Sequence, residues 1–89
     1  MVTTFVEPLK IENNIVLYPN PTNGLFTITF NRRYESVQIN LRDMKGKLIN
    51  NSKYTDIDEI EMHIQGTTGL YFVEIVTPEN RVFLKVIKE

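Results

Sequence analysis

His63 is the only histidine in this 89-residue chain, and cysteine is absent. A histidine-based metal cluster, a cysteine zinc site and a thiol nucleophile are therefore excluded by residue type. The one imidazole would need a nucleophile held against it, yet Ser36 and Ser52 lie in no G-x-S-x-G or other activating context. Asp56, Asp58, Glu59 and Glu61 gather carboxylates, the donors a hard cation takes, but without the glycine-centred loop of a calcium site. A solvated acidic edge is the better reading of that run. Arg32-Arg33-Tyr34 offers two cations and one aromatic, too little for a groove that tracks a nucleic acid, and reads as loop charge. Asn50-Asn51-Ser52 fits a glycosylation sequon only formally. No catalytic residue, metal ligand or cofactor is assigned, and the chain is expected not to be an enzyme.

Composition narrows the remaining classes. Ten Lys and Arg against eleven Asp and Glu give a formal net charge of -1, so no basic field draws the chain to nucleic acid or anionic lipid. Apolar residues make up 42% of the sequence, enough for one small core and one domain. Residues 1–14 lack the charged start and long apolar run of a signal peptide. They read as the tail of a linker from an upstream region, with Met1 an added start, and residues 15–89 as the domain.

The elements that must position any site are strands. No window sustains helical periodicity, while short runs rich in Val, Ile, Phe, Tyr and Thr recur between turn residues, at 15–18, 25–30, 36–42, 47–54, 59–64, 70–77 and 81–88. The expected fold is all-β, an immunoglobulin-like sandwich of about seven antiparallel strands. Period-two alternation puts Phe26, Ile28, Phe30, Val37, Ile39, Leu41, Ile60, Met62 and Ile64 inward, with Gln38, Asn40, Glu59, Glu61 and His63 facing solvent. Tyr71, Val73 and Ile75 form one row of a strand that is apolar on both faces, which fits a central position. Seven such short strands leave no cleft to desolvate one of a carboxylate pair, as glycoside hydrolysis requires.

Turn residues carry the sharpest local information. Asp43-Met44-Lys45-Gly46 reads as a type I turn closing a hairpin, and Thr77-Pro78-Glu79-Asn80 reads likewise, with Asn80 suited to positive φ. Tyr18-Pro19-Asn20-Pro21-Thr22-Asn23-Gly24 is different in kind. Each proline fixes its own φ and biases the residue before it toward extended geometry, so the segment is stiff until it reverses at Asn23-Gly24.

That loop is also where a family resemblance begins. Leu17-Tyr18-Pro19-Asn20-Pro21, then Gly24, Phe26 and Ile28, then Val37, Ile39, Asp43, Gly46 and Lys47, then Gly69-Leu70-Tyr71-Phe72-Val73, and finally Lys85 and Ile87, occur in an order that resembles the C-terminal sorting domain of the type IX (Por) secretion system. The resemblance runs from about Ile15 to the end of the chain. The chain departs from the family's paired lysines, since Val86 and Ile87 separate Lys85 from Lys88 and Glu89 comes last.

The resemblance implies an immunoglobulin-like fold and a sorting signal of Bacteroidetes bacteria, carried by an upstream passenger. The signal would be read in the periplasm by the type IX translocon, taking the passenger to the outer membrane, cell surface or medium. It also implies cleavage by a sortase-like cysteine protease, within residues 7–14, and attachment of the passenger to an anionic lipopolysaccharide. The candidate recognition residues are Pro19, Asn20, Pro21, Gly24, Gly69, Tyr71, Lys85 and Lys88. The alternative is an immunoglobulin-like accessory domain binding carbohydrate or protein, with Tyr18, Tyr34 and Tyr54 as the aromatics available for a sugar platform. Sheet edges at the first and last strands offer a route to self-association or strand addition by a receptor.

Overall fold

The computed structural model describes residues 15–89. The linker assigned to residues 1–14 and the cleavage window at 7–14 lie outside the described residues. Five strands, β1 (Val16–Tyr18), β2 (Leu25–Asp43), β3 (Leu48–His63), β4 (Gly69–Val76) and β5 (Arg81–Lys88), form one curled antiparallel sheet, with no helix among the described residues. The fold is all-β as expected, but the count of seven strands is corrected to five. The expected strands 25–30 and 36–42 are one continuous β2, and 47–54 and 59–64 are one continuous β3.

The reason is a bend inside the long β2/β3 hairpin. Thr29 pairs with Glu59 and Tyr34 with Ile57, so four residues of β2 face the single Asp58 between those partners. An excess of residues on one strand bends the pair and increases its twist. On one side of the bend β2 lies between β1 and the second half of β3; on the other it lies between the first half of β3 and β4, which carries β5. The two halves of the curl thus face each other. Side chains at 31–33 and 35–36 are exposed, so hydrophobic alternation stops there although the strand runs on and its pairing with β3 resumes at Tyr34.

One core fills the space between the halves. Phe26, Ile28, Ile60, Met62 and Ile64 from one half meet Val37, Ile39, Leu41, Val73, Ile75, Val82, Leu84 and Val86 from the other. Every residue assigned inward from alternation is buried. Tyr34 closes the bend, edge-on to Phe30 with ring centroids 5.6 Å apart and with the Arg32 guanidinium 4.5 Å above its ring. Arg32 also pairs with Glu79 at 2.6 Å, and this contact first, then Tyr34, raises the guanidinium's pKa. Arg33 reaches the Asp56 carbonyl at 2.7 Å and the Asp56 and Asp58 carboxylates at 3.5 Å. The arginine pair and half of the acidic run therefore fasten the bend.

The turns follow their chemistry. The Asp43 carboxylate accepts the Lys45 and Lys47 amides, both at 2.9 Å, and the Gly46 amide donates to the Asp43 carbonyl. At the second turn the Thr77 hydroxyl accepts the Glu79 and Asn80 amides. Positive φ, expected at Asn80, occurs among the described non-glycine residues at Asp56 instead, on β3 beside the bend.

Asn40 faces outward by alternation, yet it is buried. Its amide donates to Glu74 at 3.0 Å and its carbonyl oxygen accepts from Asn51, while Glu74 holds Arg81 at 3.1 Å. The polar ladder crosses β3, β2, β4 and β5. Asn40→Ala strips Gln38, Asn51 and Glu74 of a partner in a shielded place and is expected to cost about 1–3 kcal/mol in chemical denaturation. A loss below a few tenths would show that water replaces the amide without penalty.

Candidate functional site

Six of the eight candidate residues collect along β5. Pro19, Asn20 and Pro21 leave β1 and run beside the last strand. Both Tyr18-Pro19 and Asn20-Pro21 peptide bonds are cis. The prolines have no N–H, so residues 19 and 21 cannot donate to a neighbouring strand. Asn20 bonds to β5 through its side chain: Nδ2 donates to the Lys85 carbonyl and Oδ1 accepts the Ile87 amide, each at 2.9 Å.

Thr22 continues the same ladder with its backbone. Its amide donates to the Ile87 carbonyl and its carbonyl accepts the Glu89 amide, each at 2.8 Å, in a parallel bridge opposite Lys88. The hydroxyl donates to the Leu25 carbonyl at 2.6 Å and accepts the Gly24 amide at 3.0 Å, closing the turn. Thr22 is 1% exposed, the most buried polar residue described. Sequence reading passed over it. The signal was a threonine two residues before a glycine, where a hydroxyl can accept the i+2 amide.

Gly24 has φ +128° and sits under the aliphatic stem of Lys88. Its carbonyl accepts the Ile64 amide at 2.7 Å. The Lys88 ammonium donates to the Gly66 carbonyl at 2.9 Å, so this side chain spans from the proline loop to the loop before β4. Tyr71 is in the core, and its hydroxyl donates to the Thr67 carbonyl at 2.6 Å. Gly69 opens β4 opposite Lys88. Lys85 lies on the outer face opposite Phe72, whereas Lys88 is turned the other way, as residues three apart on a strand must be.

The structure therefore brings Pro19, Asn20, Pro21, Gly24, Lys85 and Lys88 together along β5, while Gly69 and Tyr71 stand on the neighbouring interior strand β4. Pro19, Pro21 and Lys85 are exposed, while Tyr71 is buried. β5 also displays Phe83 and Ile87 at 58% and 40% exposure. His63 is exposed and packs its ring edge near Gly24. The three tyrosines do not share a surface: Tyr18 is exposed on β1, Tyr34 is 5% exposed in the bend and Tyr54 packs against the core. Among the described residues no three His, Cys, Asp or Glu side chains converge as metal ligands.

Comparison with known families returns one whose description is secretion system C-terminal sorting domain, matching residues 16–89. Comparison with curated proteins finds no match.

Proposed function

The chain belongs to the type IX secretion system C-terminal sorting domain family, and from that premise we propose that residues 15–89 are its sorting unit, read as a folded surface. A domain of this family is a C-terminal sorting signal for type IX secretion, so the protein is exported to the cell surface or beyond it and involves the secretion machinery and an upstream passenger. The match over residues 16–89 carries this conclusion.

In the finer reading, the translocon meets the domain in the periplasm at the ridge made by residues 19–24 and the outer side of β5. Pro19, Pro21 and Lys85 are the contacts, because they are exposed there. Asn20, Gly24, Gly69, Tyr71 and Lys88 shape the ridge, because their polar groups are spent on hydrogen bonds or their backbones on tight turns. Residues 1–14 are the tail of the upstream region, and a sortase-like cysteine protease cuts within 7–14, after which the passenger is joined to lipopolysaccharide. We read the curl as an immunoglobulin-like sandwich whose two halves act as facing sheets around one core.

Fusing residues 15–89 behind an unrelated periplasmic passenger is expected to carry it to the surface of a host with a type IX system. Protease accessibility on intact cells reads the outcome. A passenger that stays in the periplasm overturns the proposal.

A further inference from the structure

Among the described residues most hydrogen bonds outside the strands close local turns, but those of Asn20 join positions 65 and 67 residues apart. On a strand, one residue's N–H and C=O point to the same side, so Lys85, Ile87 and Glu89 present their outward groups to the edge of β5. Asn20 takes the Lys85 carbonyl and the Ile87 amide, and Thr22 takes the Ile87 carbonyl and the Glu89 amide. A carboxamide carries one donor end and one acceptor end, the same pair that a neighbouring strand's backbone presents. Set between two prolines, its side chain makes the pair of bonds that a strand's backbone would make at that rung.

We propose that Asn20 is the positioning residue of the sorting signal: its side-chain amide clamps the proline loop to the last strand, and the machinery reads the two only when they are joined. The inference rests on the sorting function proposed above. It predicts that the signal is conformational, since neither the loop nor the C-terminal residues hold the joint surface alone. Aspartate is the informative substitution. It keeps an acceptor for the Ile87 amide but turns a carboxylate oxygen toward the Lys85 carbonyl, where a donor is required.

The test uses the full chain of residues 1–89 fused to a periplasmic passenger, and the same chain alone for amide hydrogen exchange. In Asn20→Ala, exchange at the Ile87 amide is expected to quicken by about tenfold or more while Val73 in the core is unchanged. Surface delivery should fall several-fold in both Asn20→Ala and Asn20→Asp. Ile75→Val, which loosens the core away from the loop, serves as the control at matched melting temperature and should be delivered normally. Unchanged exchange at Ile87 would overturn the clamp. Normal delivery of both Asn20 variants, or an equal loss in the Ile75→Val control, would overturn its role in sorting. If the unsubstituted fusion is not delivered, the sorting reading itself fails, and exchange at Ile87 still reads the clamp.

Discussion

Phe26→Ala is expected to remove most of the domain's stability and, with it, delivery of a passenger. Phe26 is 1% exposed and is the largest of the fully buried side chains. It stands on β2 opposite Met62, in the half of the curl that packs against β4 and β5 through a single shared core. Truncating a buried phenylalanine costs about 3–5 kcal/mol through lost burial and the cavity left behind. A domain of this length has roughly 0.05–0.15 kcal/mol of stability per residue, hence only a few kcal/mol to about ten in total. No disulfide offsets the loss, since the chain has no cysteine. At about 4–8 °C per kcal/mol for a domain of this size, the melting temperature should drop by roughly 12–40 °C. Circular dichroism during heating measures it, and a fall of less than about 5 °C would mean that the two halves do not close on this side chain. Delivery should be lost in parallel, because unfolding separates residues 19–24 from β5.

The burial of Phe26 was legible in the sequence, and the reason marks where legibility ends. Its neighbours alternate strictly, and a strand with one face on a core must show that alternation. Residues 31–36 lie where the hairpin rounds the bend, outside the core except at Tyr34, so their pattern carries no period. Strand continuity there rests on pairing that resumes at Tyr34 and Ser36 and on Arg32 and Arg33 held by acidic partners, which hydrophobic patterning does not register. Two strands consequently read as four. Asn40 shows the converse: alternation gives its face correctly, but a polar ladder rather than apolar packing shields it.

The candidate site was legible as two motifs and not as one surface. Turn chemistry marks residues 18–24 because prolines and glycine have few uses other than fixing the backbone. Nothing local in the loop specifies that its partner is the end of the chain, since Asn20 and Ile87 are 67 positions apart. Family resemblance marks both segments, while the hydrogen bonds between them supply the physical reason that they belong together. Thr22 was missed because it acts mainly through its backbone, and a backbone contact leaves little trace in residue type.

Gly24→Ala is the substitution expected to strike the joint most directly, and Gly46→Ala provides the measure against which to read it. Both glycines have positive φ, +128° and +89°, which side-chain-bearing residues rarely adopt. Each substitution therefore carries backbone strain of about 1–3 kcal/mol. Gly46 has open space where a Cβ would go, so strain is its whole cost. At Gly24 the added carbon would sit 3.0 Å from the Ile64 carbonyl oxygen and 3.2 Å from the Lys88 stem and the His63 ring. The side chains can swing aside, but the carbonyl belongs to a backbone that itself donates to the Gly24 carbonyl at 2.7 Å. Lys88 must give by a few tenths of an ångström, which strains its hydrogen bond to the Gly66 carbonyl as well. Gly24→Ala should thus lower the melting temperature more than Gly46→Ala and reduce surface delivery, whereas Gly46→Ala, in the distant β2/β3 turn, should leave delivery intact. Equal melting temperatures for the two variants would contradict the close approach of Lys88 and Ile64. Equal delivery would place the recognised surface away from the ridge, because only Gly24 lies between the proline loop and the last strand.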